Sequence, residues 1–100
     1  MANLKQRLVE DTKRAIAANR EEVKQSDDEL AILEARLKVE KRFYAMKDID
    51  KGLKEDVKYS VQALEAMLAM ERNRNAELKK DARILEYRSR VIEKIDNDDF

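Results

Sequence analysis

The second half of the chain repeats apolar residues at seven-residue intervals. Five apolar residues share one such lattice: Val57, Leu64, Leu78, Leu85 and Ile92. Glu71 is the one position of this lattice that interrupts them. A heptad repeat is typical of a helix that lies lengthwise against other helices, and neighbours such as Val61 and Leu68 widen the apolar face. The pattern predicts helix over most of residues 53–96.

A weaker heptad pattern runs through the first segment of the chain. Val9, Ile16 and Val23 are seven residues apart, but Thr12 and Asn19 fall near the centre of the same face. The apolar face of a helix supplies most of its packing energy. We therefore expect a helix over about residues 3–25 that packs weakly or at the edge of an assembly.

A helix-start signal follows this segment. Ser26 and Glu29 have the spacing of a capping box, in which the serine hydroxyl accepts from an amide three residues on and the glutamate reaches back. This spacing favours a new helix over about residues 27–49. The lattice of Val23 nevertheless continues in register through Leu30 and Leu37, so that one unbroken helix is the alternative.

The only glycine of the chain, Gly52, lies near its middle, where the apolar pattern of the preceding helix fades. Glycine readily adopts the left-handed conformation that commonly ends a helix. The sequence therefore predicts a reversal of the chain at Gly52. Asp50 could equally serve as the N-cap of the next helix, which is predicted to begin near Leu53.

Polar residues cluster a second time at 71–75, where Asn73 or Asn75 could cap a fresh helix. Two asparagines inside a helix cost only about 1 kcal/mol in total, so residues 53–71 and 75–96 form either two helices or one. A reversal at Gly52 brings this segment level with residues 25–29. Two all-α architectures satisfy that alignment in a single domain of residues 1–100: an antiparallel helical hairpin with a polar layer, or a four-helix bundle, both with coiled-coil-like packing.

The apolar residues divide into two sets by helical face. The first set, called the seam, is predicted to hold the helices of one chain together: Leu30, Leu33, Leu37, Val57, Val61, Leu64, Leu68, Leu78, Ala82, Leu85 and Ile92. The second set lies on nearly the opposite face and is the predicted interface: Ile32, Val39, Phe43, Met46, Ile84, Tyr87, Val91 and Ile95. Because a two-helix hairpin cannot hide both faces, the second set predicts self-association or capture of a partner helix.

Composition narrows the classes of function. The 100 residues include 44% charged residues, one glycine and no proline, which is typical of long helices. The 22 basic and 22 acidic residues leave no net charge to attract nucleic acid or an anionic membrane. Without cysteine or histidine the chain lacks thiolate ligands and the commonest catalytic base. We therefore expect no catalytic residue, metal, cofactor or small-molecule substrate.

Two acidic segments resemble cation sites only in part. Asp48 and Asp50 stand as at the start of a calcium-binding loop, but Gly52 comes one position early. Tyr59 occupies the position where such a loop requires a bidentate glutamate. The acidic run at residues 96–99 is better explained as a fraying helix end.

Two basic segments raise the question of nucleic-acid binding. Within residues 36–47 basic residues flank Phe43 and Tyr44, and proteins use this combination to bind single-stranded nucleic acid. Both rings also belong to the apolar faces of the helix, so a core role is favoured for them. The second segment is the predicted nucleic-acid face of an alternative function: Arg72, Arg74, Lys79, Lys80, Arg83, Arg88 and Arg90. Acidic residues within one helical turn favour a salt-bridged surface there instead.

The expected protein is a non-enzymatic structural, adaptor or inhibitor protein that acts through helix–helix contacts, as a homo-oligomer or with a protein partner. Its N-terminal residues lack the apolar run of a secretory signal, and no apolar run is long enough to cross a bilayer. We therefore expect a soluble, cytoplasmic protein without a membrane partner.

Overall fold

The fold is a pair of long helices. The computed structural model describes residues 3–100, so Met1 and Ala2 of the predicted domain lie outside the described residues. Helix α1 spans Leu4–Tyr44 (41 residues), helix α2 spans Lys51–Lys94 (44 residues), and a 3-10 turn follows at Asn97–Asp99. The long helices pack against each other as a hairpin, which confirms the all-α class and the helical hairpin. The four-helix alternative within one chain is wrong, since only two long helices occur in the described chain.

Neither polar segment breaks its helix. The helix start predicted at residue 27 is wrong, because Ser26 lies inside α1 and its side chain is fully buried. A capping hydroxyl must face free backbone amides, whereas the Ser26 hydroxyl accepts a hydrogen bond from Asn75 of α2. Residues 71–75 also remain helical. The second half of the chain therefore forms one continuous helix, which was one of its two predicted alternatives. In a chain without proline, packing overrides the small propensity cost of serine and asparagine.

The reversal predicted at Gly52 is also wrong, because the chain reverses over residues 45–50. At the end of α1 the Met46 amide donates to the Phe43 carbonyl oxygen at 3.1 Å. A hydrogen bond between residues three positions apart, as in a 3-10 turn, satisfies a carbonyl at the helix end without a residue in the left-handed conformation. Gly52 lies in the first turn of α2, and no glycine among the described residues has a positive φ. The reversal therefore does not depend on the conformational freedom of glycine.

The described chain divides into two compact units, each built from one segment of α1 and one segment of α2. The terminal unit comprises the chain up to Gln25 together with Ala76–Phe100, and the turn unit comprises Ser26–Asn75. Each helix continues without interruption from one unit into the other. The division is therefore not marked by a break in either helix.

The turn unit holds the apolar core. Leu33 and Leu68 are each 2% exposed and Val57 is 7% exposed, and these are the buried apolar side chains of the described residues. Burying a valine or leucine side chain contributes about 1.5–3 kcal/mol. Half-buried seam residues continue the same face of each helix at spacings of three and four: Leu30, Leu37, Val61 and Leu64.

Two ion pairs join the helices of the turn unit at its surface. Arg72 Nη2 lies 3.6 Å from Glu34 Oε1, and Lys41 Nζ lies 3.6 Å from Glu65 Oε1. From the first pair to the second the residue number rises in α1 and falls in α2, so the two segments run antiparallel. All four side chains are more than half exposed, so each pair contributes only about 0–1 kcal/mol.

The terminal unit has a thinner core than the turn unit. Its seam residues are all half-buried: Leu78, Ala82, Leu85 and Ile92. Asn19 is buried, and its Nδ2 donates to the Leu78 carbonyl oxygen at 3.0 Å. The Lys5 ammonium group donates to the Glu93 carbonyl oxygen at 3.1 Å. Because none of the described apolar side chains of this unit is buried, we expect its local opening to cost less free energy than opening of the turn unit.

Candidate assembly interface

An open groove of about 620 Å³ lies on the turn unit. Its lining combines large apolar side chains with small ones from both helices: Ile32, Ala35, Val39, Ser60, Ala63 and Met67. Val39 is 63% exposed and Met67 is 46% exposed, so apolar surface faces solvent along the groove. Exposed and contiguous apolar surface is typical of a protein contact site.

Helical spacing places the groove residues on one side of each helix. In α1 a spacing of three and then four residues connects Ile32, Ala35 and Val39. In α2 the same spacing connects Ser60, Ala63 and Met67. The middle residue of each triplet is an alanine, and small side chains allow the axis of another helix to approach closely. The half-buried seam residue Leu64 also lines the groove, which therefore adjoins the seam.

The residues of the predicted interface are distributed over both units. Ile32 and Val39 line the groove of the turn unit, whereas Phe43 and Met46 are exposed without lining it. In the terminal unit Ile84, Tyr87 and Val91 are exposed, and Ile95 is half-buried. The groove therefore contains only part of the predicted interface.

The α2 side of the groove was missed by sequence reasoning. Ser60, Ala63 and Met67 belong neither to the seam nor to the predicted interface. Their spacing of three and four residues places them on one helical face and could have indicated it. A serine and an alanine, however, contribute little to a pattern of apolar residues. A groove formed by small residues is visible only once the opposite helix is in place.

A buried polar cluster lies at the edge of the turn unit. Asn75 Nδ2 donates to Ser26 Oγ at 3.1 Å and to Asp27 Oδ1 at 2.8 Å. Ser26 is 0% exposed and Asn75 is 7% exposed, and no buried side-chain nitrogen or oxygen of the described residues lacks a partner. A buried amide that is satisfied in one alignment only can fix the register of two helices. The polar residues of the two helices thus form a layer within continuous helices and not a pair of loops.

The side chains of the predicted nucleic-acid face are all exposed, and they are divided between the two units. Two of them contact carboxylates of the turn unit. Arg72 lies 3.6 Å from Glu34, and Arg74 Nη1 lies 2.9 Å from Glu71 Oε1. The Arg74 pair is the closer of the two, whereas the Arg72 pair contributes only about 0–1 kcal/mol because both of its side chains are more than half exposed.

A second, smaller groove of about 440 Å³ lies on the terminal unit. Its lining mixes apolar residues such as Ala15 and Leu85 with the charged residues Glu22, Asp81 and Arg88. Charged groups need hydration or pairing, so this groove offers less apolar surface to a partner. The groove of the turn unit is therefore the stronger candidate interface.

Within residues 3–100 no group of three or more carboxylate side chains is placed to hold a metal ion. Across those same residues neither helix contains an apolar stretch of the length that a bilayer span requires. The chain matches no protein-family model, and comparison with curated proteins and with solved structures finds no match. The geometry of the described residues is therefore the basis for a functional assignment.

Proposed function

We propose that the protein is a non-enzymatic assembly protein, with a structural, adaptor or inhibitor role, whose hairpins associate through the groove of the turn unit. The groove is the observation behind this proposal, because both helices contribute exposed apolar side chains to it. Two hairpins joined at this surface would place four helices side by side. The four-helix arrangement would then arise between two chains instead of within one.

The charges of the groove favour a second copy of the chain as its occupant. Arg36 and Glu40 both line the groove and stand one helical turn apart on α1. About a twofold axis, antiparallel α1 segments bring Arg36 of one copy towards Glu40 of the other, and the reverse pair forms at the same time. A formal net charge of zero adds no long-range repulsion between copies.

The spacing of the buried residues supports coiled-coil packing inside each hairpin. In α1 the seam residues Leu30, Leu33 and Leu37 alternate between spacings of three and four, which is the pattern of core positions in a coiled coil. In α2 the run from Val57 to Leu68 has the same alternation. A second hairpin would therefore pack beside an existing seam and leave the seam intact.

The proposal is tested by the mass of the particle in solution. Met67→Glu introduces a carboxylate into the groove, and Met70→Glu makes the same change on the same helix at a residue that is 73% exposed and does not line the groove. We expect light scattering after size exclusion, at tens of micromolar protein, to give a dimer for the original chain and for Met70→Glu. Met67→Glu should be monomeric, because an unpaired carboxylate is costly to bury.

Circular dichroism at the same concentrations controls for loss of helix in either variant. A monomer for the original chain at these concentrations would contradict the proposal. Equal dissociation of the two variants would contradict the assignment of the interface to the groove.

A further inference from the structure

A cluster of lysines surrounds one tyrosine where the two helices of the turn unit meet the reversal. Tyr44 is the last residue of α1, and it is 39% exposed although a core role was favoured from the sequence. The Lys54 ammonium group lies 4.9 Å from the centroid of its ring. Lys51, Lys54 and Lys58 occupy one face of the first two turns of α2, at spacings of three and four residues. The partial positive charge of the α2 N-terminus adds to theirs.

Two adjoining concavities share the Tyr44 ring and the Lys58 side chain. The first, of about 280 Å³, is lined in addition by Val61, Gln62 and Lys41. The tyrosine ring, the valine and the aliphatic parts of the lysines make it mainly apolar, with one amide group. The second, of about 170 Å³, is lined in addition by Lys51, Lys54 and Glu55 and is cationic.

The positive charge of the second concavity is poorly compensated. Among the described residues, no ion pair involves Lys51, Lys54 or Lys58, and Glu55 is the one carboxylate of the lining. The lining therefore carries three lysines against one glutamate, although the whole chain has a formal net charge of zero. An anion is the ligand that such a group of ammonium groups favours.

We propose that these two concavities bind a nucleoside phosphate. The base lies in the apolar concavity against the Tyr44 ring, where stacking is tolerant of base identity, and the Gln62 amide meets its polar edge. The phosphate lies among Lys51, Lys54 and Lys58, and Lys54 exchanges its contact with the ring for a contact with the phosphate. The site is independent of the groove proposed for assembly, since none of its residues lines that groove.

The shared chemistry leaves two sources of ligand, a free nucleotide or one unit of a single strand. Fluorescence anisotropy of a labelled oligothymidylate at low salt, with the full chain, measures binding directly. Unlabelled thymidine monophosphate as competitor then separates the sources. Displacement by the mononucleotide at a concentration comparable to that of the oligomer assigns the site to free nucleotides, and displacement by the oligomer alone assigns it to single strands.

Two kinds of variant test the two halves of the site. The triple variant Lys51→Gln, Lys54→Gln, Lys58→Gln is expected to weaken binding about tenfold or more and to flatten the salt dependence. Tyr44→Leu is expected to weaken binding about fivefold or more without changing the salt dependence, because the variant loses an aromatic ring for stacking but keeps every charge. Tyr59→Leu, at an exposed tyrosine of α2 outside both concavities, should have no effect.

A second measurement on the original chain covers the case in which Tyr44→Leu unfolds. The ring-proton NMR signals of Tyr44 should shift upfield on addition of the oligomer, and those of Tyr59 should not. The proposal is overturned by any of three results: no binding at millimolar ligand in low salt, equal displacement by inorganic phosphate, or equal loss of affinity in the Tyr59→Leu control. Binding of a duplex as tight as that of the single strand would likewise overturn it, since a paired base cannot enter the apolar concavity.

Discussion

Replacement of Asn75 by alanine is expected to destabilise the hairpin through the buried polar cluster. Asn75→Ala removes the donor of two hydrogen bonds, one to the Ser26 hydroxyl at 3.1 Å and one to the Asp27 carboxylate at 2.8 Å. The Ser26 hydroxyl is then left inside the turn unit, at 0% exposure, without that donor. The loss of a partner at a buried group costs more than the same loss at the surface.

The magnitude follows from the environments of the two acceptors. The bond to the neutral Ser26 hydroxyl is worth about 0.5–1.5 kcal/mol, and the bond to a charged group about 1.5–3 kcal/mol. The lower end of this range, about 1.5 kcal/mol, applies to the bond with Asp27, because Asp27 is an exposed residue. Alanine regains about 0.6 kcal/mol of helix propensity over asparagine. The free energy of unfolding should therefore fall by about 2 kcal/mol.

Urea denaturation followed by circular dichroism measures this change, and Asn73→Ala is its matched control. Asn73 lies two residues away on the same helix and is exposed, so its replacement gains the same propensity without breaking the cluster. We expect Asn73→Ala to stabilise the protein slightly. If the two variants change the free energy of unfolding equally, the cluster contributes nothing and the reasoning is refuted.

The double variant Ser26→Ala, Asn75→Leu separates stability from register. An apolar replacement of both buried partners leaves no buried polar group without a partner, and the Asp27 carboxylate belongs to an exposed residue that water can reach. The stability of this variant should therefore return to that of the original chain or exceed it. The helices of this variant should be less confined to one register, since the buried amide no longer penalises a shift. Light scattering that shows additional oligomeric species would support this, and a single species identical to the original would argue against it.

Three further changes test other parts of the fold. Gly52→Ala should raise the free energy of unfolding by about 0.5 kcal/mol in thermal melts, because φ is not positive and an added Cβ would lie 3.7 Å from its nearest neighbour; a loss of stability would point to a left-handed residue. Asn19→Ala should lower the free energy of unfolding in urea by up to about 1 kcal/mol, because loss of the bond to the Leu78 carbonyl outweighs the gain in helix propensity, and a clear increase would contradict that role. Hydrogen exchange by NMR should be slower at the amide of Leu33 than at that of Ile16, and equal rates would contradict the difference in burial.

The sequence predicted the all-helical class correctly, because helix formation leaves a periodic pattern of apolar residues. The heptad from Val57 to Ile92 needs no knowledge of the partner helix, since any partner covers the same face. Every seam residue is buried or half-buried in its unit, from Leu33 at 2% exposure to the half-buried Leu78. Periodicity is a property of the helix itself and is therefore readable from the chain alone.

The error at Ser26 arose because a local signal competed with a distant contact, and the other errors have different causes. The capping box at Ser26 is a real local preference, but the hydrogen bond that replaces it comes from a residue 49 positions away. The preference of glycine for helix ends is statistical, and Gly52 adopts a helical conformation instead. The groove at Met67 depends on how small residues of two helices come to lie opposite one another, which no local pattern encodes.

The polar cluster has a consequence for how the length of the chain can change. Ser26 and Asn75 face each other only because the lengths of the two helical arms of the turn unit, residues 26–44 and 51–75, are fixed relative to each other. Loss of one heptad from the α2 arm alone would slide Asn75 to the level of Leu33, where an amide would meet a leucine. Loss of one heptad from both arms would preserve the pairing. Viable length variants of this protein should therefore carry paired insertions or deletions in multiples of seven, so that the two arms lengthen or shorten together.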